Sequence, residues 1–235
     1  MYTLNYICGI INNIIDKIII LITIILLLFS TYSLIDTFII LKKSSGYNFI
    51  KYKPQSGKEE DNNLIKLQKI NNEVIGWITI DNTKIDYPIV QANNNSKYLN
   101  KDVLNNYAIS GSIFLDSRND SYLKDYFNIL YGHNMKNGNM FGSIHNYTNK
   151  KYQEEHNKGT IIIKNKKYNI EILALMKVDA NNKIYNLERK PILSYIKNNS
   201  IFYNNGIKDI KKILALSTCT SGSYKRLVLI CSIKE

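Results

Sequence analysis

The start of the chain is a continuous apolar segment. No charged residue occurs between Ile18 and Ile35, and with its flanks the segment can cross a hydrocarbon core of about 30 Å at about 1.5 Å per residue. We predict a transmembrane helix from Lys17 to Leu41, so that residues 1–41 form a short N-terminal segment and an anchor. A cleaved signal peptide is disfavoured by the length of the run, and a buried helix by the absence of a polar face.

The pattern changes after this anchor. Residues 42–58 have no clear hydrophobic period, which predicts a linker, and residues 59–235 have the pattern of one folded domain. From Glu59 to Val74, apolar residues recur at helical spacing and acidic residues occupy the first turn. This segment should form an amphipathic helix that lies on the domain.

Short strands separated by turns account for most of the domain. Apolar, β-branched segments bounded by Gly, Asn, Asp and Ser predict strands at residues 76–80, 85–91, 108–115, 127–131, 160–163, 168–178, 213–216 and 227–233. Helices are predicted over residues 140–156, with a break near Asn149, and from Pro191 to Asn198. Many strands with a few external helices predict a mainly β barrel or sandwich with helical additions.

The last two strands form a predicted β-hairpin with a cysteine near its turn. If the turn is centred between Gly222 and Ser223, Cys219 lies opposite Arg226 and projects from the same face. A guanidinium beside a thiol favours the thiolate and offers fixed donors to an oxyanion, and both effects serve acyl transfer. A buried structural cysteine is an equally good interpretation of Cys219 from these residues alone.

The other cysteines indicate no disulfide or metal framework. Cys231 is an odd number of residues beyond Arg226, so it should point to the opposite face as a small buried hydrophobe. Cys8 lies near the apolar segment, and three cysteines in these positions make no disulfide pattern. No Cys or His spacing typical of zinc occurs, so we predict no metal and no cofactor.

The chain is basic, with 31 Lys and Arg against 19 Asp and Glu and a net charge of +12. The lysines are scattered rather than clustered with aromatic residues, so we predict no nucleic-acid partner. The charge is explained either by a general enrichment in lysine or by work beside anionic wall polymers or lipid headgroups. Lys42 and Lys43 follow the anchor, and the positive-inside rule alone would place the domain in the cytoplasm.

His133 is the best candidate for the acid–base partner that a thiol nucleophile needs. It follows Gly132 at the end of a predicted strand, as Cys219 follows another, whereas His145 and His156 lie in polar stretches typical of the surface. A papain-like arrangement is disfavoured, because it would place the cysteine before the histidine and at a helix N-terminus.

The segment Leu216–Cys219 followed by Arg226, with Tyr131–Met135 upstream, resembles the motifs of sortases, the membrane-anchored cysteine transpeptidases of Gram-positive bacteria. The resemblance is to class B in particular and covers the chain from about Leu64 onward. It extends through Trp77 and residues 87–91, 95–99 and 111–119.

This resemblance implies an eight-stranded sortase β-barrel with an N-terminal helical extension and an extra helix between the sixth and seventh strands. It implies that Cys219 attacks the carbonyl after threonine in a sorting peptide of the Asn/Ser-Pro-x-Thr-Gly/Asn kind, and that a peptidoglycan amine resolves the thioacyl intermediate. His133 would protonate the departing amine, and Arg226 would hold the carbonyl or the oxyanion. By motif match, the peptide-binding residues would be Asn95, Leu99, Tyr131 and Ser217.

The resemblance also implies an extracellular domain on a single-pass membrane helix, in conflict with the charge rule. Only six residues separate Cys219 from Arg226, whereas class B members commonly have a longer loop there. Neither the N-terminal lid nor the second span of the pilus-polymerising class is visible, which favours wall anchoring. The alternatives are a membrane-tethered peptide-binding domain and a hydrolytic cysteine endopeptidase.

Overall fold

The computed structural model describes residues 2–54, 62–164, 166–186, 189–219 and 225–234, and it divides the chain into two compact units. The first unit, residues 1–42, contains all but the last residue of helix α1, Tyr2–Lys43, which starts earlier than the predicted Lys17. At about 1.5 Å per residue, such a helix is about 63 Å long. Its mean hydropathy reaches 2.7, and among the described residues it is the one helix long and apolar enough to cross a membrane.

The second unit is built around a β-barrel. Its strands are β1 Val74–Ile80, β2 Asp86–Val90, β3 Ile113–Leu115, β4 Phe127–His133, β5 Lys158–Ile163, β6 Lys166–Asp179, β7 Ser200–Tyr203, β8 Lys212–Cys219 and β9 Lys225–Lys234. Among the described residues, eight strands follow the order β5-β1-β2-β3-β4-β8-β9-β6, and pairing of β5 with β6 closes the ring. Strand β7 pairs with residues 174–176 of β6, after the part of β6 that pairs with β5. The predicted eight-stranded barrel is confirmed.

Alternate residues of the barrel strands enter two hydrophobic clusters. On β8, Leu214 and Leu216 belong to the cluster inside the barrel, whereas Ile213 and Ala215 belong to the cluster on its outer face. This alternation follows from the period of two along a strand. Helices α2, Asn62–Ile70, and α4, Arg189–Asn199, cover the outer cluster with the buried residues Leu64, Leu67, Ile192 and Ile196.

Helix α2 is shorter than the predicted amphipathic helix. Leu64 and Leu67 are fully buried, as expected of its apolar face, but the helix ends at Ile70 and Val74 already belongs to β1. Pairing of β1 with both β2 and β5 overrides the helical spacing of that residue. The predicted first turn at residues 59–61 lies outside the described residues.

The other helical predictions agree with the structure in position. The region 140–156 contains a 3-10 helix, Gly142–Thr148, and helix α3, Lys150–Glu155. Asn149 separates them, because its side chain accepts a hydrogen bond from the Tyr152 N–H and caps α3. Helix α4 has Pro191 in its first turn. Strand β7 was missed because it has only four residues and directly follows the last residue of α4.

The predicted strand 108–115 is reduced to β3 because a tight turn precedes it. Gly111 has a φ of +56°, and a Cβ there would lie 2.5 Å from the backbone oxygens of both Tyr98 and Leu99. Only glycine tolerates that conformation and that proximity. The turn therefore packs directly against a 3-10 turn, Lys97–Leu99.

Part of the segment predicted as a linker packs on the domain. A 3-10 helix spans Gly46–Tyr52, and Lys53 forms an ion pair with Asp86 of β2, with 2.8 Å between Nζ and Oδ2. The second compact unit accordingly begins at Lys43. The remainder of the predicted linker, residues 55–58, lies outside the described residues.

Candidate active site

Strands β4 and β8 lie side by side and end at the same edge of the barrel. In their parallel ladder His133 pairs with Cys219, and Tyr131 pairs with Ser217. Paired residues on adjacent strands project from one face, about 4.8 Å apart. These residues are referred to below as the β4–β8 patch. The Cys219 side chain and the predicted turn at residues 220–224 lie outside the described residues, so the placement of Cys219 rests on its backbone.

The β4–β8 patch lies on the outer face of the barrel. Ile129 and Ala215 belong to the outer cluster, and His133 and Cys219 share their parity along β4 and β8. Cys231, by contrast, has no exposed surface and belongs to the cluster inside the barrel. Burial raises the pKa of its thiol. Cys231 is therefore a buried hydrophobe, as predicted.

Arg226 lies on the neighbouring strand β9 at the same edge. Ser217 pairs with Val228 in the antiparallel ladder of β8 and β9. The same register, continued by two residues, sets Arg226 opposite Cys219. Arg226 is half-buried, and its guanidinium carbon lies 5.6 Å from the centre of the Tyr185 ring, within the range of a cation–π interaction.

His133 is half-buried and contacts the backbone of Leu99, another predicted site residue. Its Nε2 lies 2.9 Å from the Leu99 carbonyl oxygen. Because a carbonyl oxygen can only accept, Nε2 must carry the hydrogen and donate it. In the neutral ring Nδ1 then holds the free lone pair and can take up a proton.

The glycine before His133 is required by packing inside the barrel. A Cβ at Gly132 would lie 2.5 Å from Ile113 Cδ1 and 2.8 Å from the Phe141 ring. Such distances are too short for any side chain, so Gly132 lets β4 run close to both apolar residues. His133 is thereby held at the end of a strand whose inner face is closely packed.

The other histidines differ from each other. His145 is exposed, as predicted, and its Nε2 lies 2.9 Å from Asn134 Nδ2. His156 was also predicted to be a surface residue, but it is half-buried and stacks on Tyr152 with 3.8 Å between ring centroids. His133 is the one histidine that the described strands place beside Cys219.

Tyr185, which sequence analysis missed, covers two predicted site residues. It lies in a 3-10 helix, Lys183–Asn186, and its hydroxyl is 3.0 Å from Oγ of the fully buried Ser217. The ring centroids of Tyr131 and Tyr185 are 6.4 Å apart. Since Tyr185 also contacts Arg226, it connects the β4–β8 patch with β9.

Asp116, directly after β3, is the centre of a polar network behind the patch. Its carboxylate accepts from Arg118 Nε and Nη2 at 2.9 and 2.8 Å and from the Tyr131 hydroxyl at 2.9 Å. Asn95 hydrogen-bonds to Asp116 and accepts from the Ser117 N–H at 2.8 Å. Burial alone would raise the pKa of Asp116, but the hydrogen bonds from Arg118, Tyr131 and Asn95 outweigh burial and lower it to about 2.

Arg118 joins this network to the segment that carries Tyr185. Its Nη1 donates to Asn186 Oδ1 at 2.8 Å, and its Nη2 donates to the Tyr185 carbonyl oxygen at 3.3 Å. Asp116 and Arg118 lie in a segment that carries the sortase resemblance, but no role was predicted for them. An acid directly after a buried strand, with an arginine two residues later, is a local signal for a bidentate pair that could have identified them.

Comparison with known proteins identifies the class to which this fold and site belong. Residues 78–234 match the family described as Sortase domain. The chain therefore belongs to the sortase family, whose members are cysteine transpeptidases. Its relatives are class B: it is 34% identical over 173 residues to Sortase B of Listeria monocytogenes, covering 69% of this chain and 70% of the relative. It is 28% identical over 232 residues to Sortase B of Staphylococcus aureus, covering 91% and 94%.

Solved structures agree with this assignment. A mutant form of Clostridium perfringens sortase B superposes with a TM-score of 0.73 at 27% identity, covering 81% of this chain and 97% of that one. S. aureus sortase B, solved with a substrate and with Gly₃, gives 0.68 at 29% identity, covering 74% of this chain and 85% and 86% of the two structures. A class B sortase of Streptococcus pyogenes involved in pilus biogenesis gives 0.68 at 34% identity, covering 72% and 97%.

Proposed function

We propose that this chain is a single-pass membrane enzyme that cleaves a C-terminal sorting motif after threonine and joins the protein to a peptidoglycan amine. The observation that carries the proposal is the pairing of His133 with Cys219 at the ends of two parallel strands of a sortase barrel. A thiol and an imidazole on one face, on adjacent strands, are the groups that nucleophilic acyl transfer needs.

In the first half-reaction, the Cys219 thiolate attacks the carbonyl carbon of the threonine, in the amide bond that joins it to the next residue. The carbonyl becomes a tetrahedral oxyanion, and its collapse breaks the peptide bond and leaves a thioester on the Cys219 sulfur. The departing amine needs a proton, which the protonated imidazole of His133 supplies. Because Nε2 is bonded to the Leu99 carbonyl, the transferred proton leaves from Nδ1.

In the second half-reaction, the acceptor amine attacks the thioester carbonyl. The now neutral His133 takes a proton from this amine at Nδ1, and the second oxyanion collapses to a new amide. The sulfur leaves as a thiolate and the imidazole is again protonated. One amide bond is broken and one is formed, so the cycle needs no cofactor and returns the enzyme to its starting state.

Arg226 stabilises the oxyanion in both half-reactions. A guanidinium is a planar fork of donors that is always charged, and an oxyanion opposite it is stabilised more strongly than the carbonyl of the bound substrate. The face of Tyr185, 5.6 Å away, supports the guanidinium by a cation–π contact.

The four predicted peptide-binding residues divide into two groups by their surroundings. Leu99 and Asn95 are half-buried and border the patch, so they are suited to direct contact with a peptide. Tyr131 and Ser217 are buried, and their hydroxyls are bonded to Asp116 and Tyr185, so they shape the groove from beneath. S. aureus sortase B has been solved with a substrate, which supports a peptide ligand here.

Helix α1 anchors the enzyme with its catalytic domain outside the cell. Its length and apolar character support membrane insertion, and the cell-surface location of sortases supports the orientation. The orientation places Lys42 and Lys43 on the outer side, against the positive-inside rule. Labelling of a cysteine introduced at exposed Lys177, on intact cells with an impermeant maleimide, tests it: no labelling would contradict an extracellular domain.

The acceptor distinguishes wall anchoring from a second candidate function. A relative involved in pilus biogenesis is 34% identical to this chain, and this favours an amine on another protein subunit as the alternative acceptor. Both acceptors would use the same thioester. A competition assay between a peptidoglycan peptide amine and a lysine-containing protein domain should give mainly the wall product if anchoring is correct.

The full chain in detergent micelles, incubated with sorting peptides and an amine acceptor, tests the proposal. Mass analysis should find the ligated peptide with the wild-type chain and no product with Cys219→Ala. Cleaved peptide without ligation, at saturating acceptor, would indicate a hydrolytic endopeptidase. Peptide that binds but stays intact would indicate a membrane-tethered binding domain and would contradict the proposed reaction.

A further inference from the structure

The orientation of His133 depends on a backbone carbonyl in a very short element. The acceptor of its Nε2–H is the Leu99 carbonyl, and Leu99 is the last residue of the 3-10 turn Lys97–Leu99. A 3-10 turn of three residues has poor internal hydrogen-bond geometry and little stability of its own. Contacts from outside the turn must therefore hold this carbonyl in place.

A cluster of polar residues, Asn71, Glu73, Lys97 and Tyr98, provides those contacts. Tyr98 is 1% exposed, and its hydroxyl donates to Glu73 Oε2 at 2.5 Å and accepts from Asn71 Nδ2 at 2.8 Å. Lys97 Nζ lies 2.5 Å from the same Glu73 oxygen. Two consecutive residues of the turn thus bind one carboxylate through charge-assisted hydrogen bonds, which are stronger than neutral ones. We call these four residues the Glu73 cluster.

The Glu73 cluster is itself fixed to the barrel. Asn71 Nδ2 also donates to the Val103 carbonyl at 2.8 Å, and Asn71 Oδ1 accepts from the Glu73 N–H at 3.0 Å. On the other side of the turn, the Tyr98 carbonyl accepts from the Ser112 N–H at 3.0 Å. The turn is therefore held both by the connection from α2 to β1 and by the residues before β3.

The protonation states in the cluster suit this role. Burial alone would raise the pKa of Glu73, but the hydrogen bonds from Lys97 and Tyr98 outweigh burial and lower it. Burial and the hydrogen bond to Glu73 raise the pKa of Tyr98. At neutral pH the carboxylate is therefore ionised and the Tyr98 hydroxyl keeps its hydrogen, as the observed donor and acceptor pattern requires.

We propose that Tyr98 is a positioning residue for His133: it fixes the Leu99 carbonyl, and thereby the ring orientation and the Nε2–H tautomer that leave Nδ1 free for proton transfer. This inference rests on the proposed function, in which Nδ1 exchanges the proton. The Tyr98 hydroxyl is bonded to Glu73 and Asn71 rather than to His133, so it acts through Leu99. Loss of the Tyr98 hydroxyl should slow the chemical steps more than it weakens peptide binding, to which the Leu99 side chain contributes.

The variant Tyr98→Phe keeps the buried ring and removes only the hydroxyl. We expect its kcat for transpeptidation to fall about tenfold with KM for the peptide within about twofold, because proton transfer by a well-placed acid–base group contributes about 10²–10⁴-fold. Glu73→Gln keeps an oxygen that can accept from Tyr98 and should lower kcat less. If Tyr98→Phe does not fold, Glu73→Gln carries the same test.

Tyr147→Phe is the matched control. Tyr147 is fully buried in the inner cluster and its hydroxyl donates to the His156 carbonyl at 2.7 Å, so the variant also loses one buried hydrogen bond. It should unfold at a lower denaturant concentration, as Tyr98→Phe should, but keep its kcat. If kcat fell in both variants by an amount that follows only their loss of stability, the positioning role of Tyr98 would be overturned.

Nitrogen-15 NMR of the histidine rings gives a readout that does not need turnover. The sequence has three histidines, so His145→Gln and His156→Gln assign the His133 signals. At a pH where the rings are neutral, the wild-type chain should show the Nε2–H tautomer, and Tyr98→Phe should show a mixture. An unchanged tautomer in Tyr98→Phe overturns the inference, whereas absence of ligation by the wild-type chain overturns only the proposed function.

Discussion

Two cysteines on neighbouring strands differ in where their strands place them: one ends a strand at the edge of the barrel and the other lies in its core. Cys219 ends β8 on the outer face, paired with His133, whereas Cys231 lies in β9 inside the barrel, paired with Leu214. Apolar side chains enclose Cys231, and burial raises the pKa of its thiol. If Cys219 is the nucleophile, as we propose, the difference teaches that the parity of a cysteine along its strand separates a reactive thiol from a structural one.

The largest expected effect is a contrast between these two cysteines. Cys219→Ala should lower kcat/KM for a sorting peptide by about 10⁴-fold or more, because the nucleophile is lost. Cys231→Ala should leave kcat/KM within about threefold and lower the free energy of unfolding by about 1 kcal/mol, because it leaves a small cavity. Peptide turnover and denaturant unfolding, followed by fluorescence of the single Trp77, measure both effects.

The reverse pattern would contradict the comparison. If Cys231→Ala abolished turnover while its unfolding midpoint stayed normal, the inner thiol would have to take part in the reaction. Reactivity with iodoacetamide in the native chain gives a second check. Cys219 should be alkylated in the folded state, and Cys231 should be protected until the barrel unfolds.

A smaller effect is expected when the charge of Arg226 is kept and its shape is changed. Arg226→Lys should lower kcat by about 10²–10³-fold, the usual cost of losing an oxyanion donor, because an ammonium cannot reproduce the planar fork. Lys177→Arg, on exposed β6 surface, is the control for a basic exchange and should have no effect on kcat. Full activity of Arg226→Lys would contradict this prediction, because it would show that a positive charge without the planar guanidinium is sufficient at this position.

The smallest effect concerns acid stability behind the patch. The pKa of Asp116 in the folded chain is lowered from 3.8 to about 2, so its contribution to stability is present above pH 3.8 and is lost as the pH falls through 2. The full contribution is about 2 kcal/mol, since one pKa unit corresponds to about 1.4 kcal/mol. The unfolding free energy of Asp116→Asn should therefore fall less than that of the wild-type chain between these pH values.

Arg118 sets the pH range in which the stability contributed by Asp116 is lost. Because the guanidinium is the main group that lowers the pKa of Asp116, Arg118→Met should move the loss of stability to higher pH. The loss of Arg118 should also loosen the segment that carries Tyr185, and should lower kcat because Tyr185 supports the Arg226 guanidinium. Identical pH profiles for Arg118→Met and the wild-type chain would contradict this role of the ion pair.

Local patterns predicted the parts of the molecule that depend on neighbouring residues. Short apolar, β-branched segments identified the barrel strands, Gly and Asn marked turns, and the parity argument assigned Cys231 to the face opposite Arg226. Where tertiary pairing overrides local spacing, the predictions were less accurate. Val74 has helical spacing but belongs to β1, and the four residues of β7 are too few to show a period and form a strand by pairing with β6.

Contacts between distant segments could not be read from such patterns. Arg118 and Asn186 are 68 residues apart in sequence, and His133 and Leu99 are 34 apart. Both His133 and Leu99 were predicted site residues, yet their hydrogen bond follows from how β4 packs beside the 3-10 turn. The same holds for Tyr185, whose role depends on the Arg118 contacts that hold its segment beside the patch.

The most direct measurement of the central claim is the location of the covalent intermediate. The full chain in micelles is incubated with a sorting peptide without an amine acceptor, stopped with acid, digested, and sequenced by mass spectrometry. The account predicts an acyl group, cut after threonine, on Cys219 in the wild-type chain and in Cys231→Ala. An adduct on Cys231, or peptide cleavage with no thioester on Cys219, would contradict it.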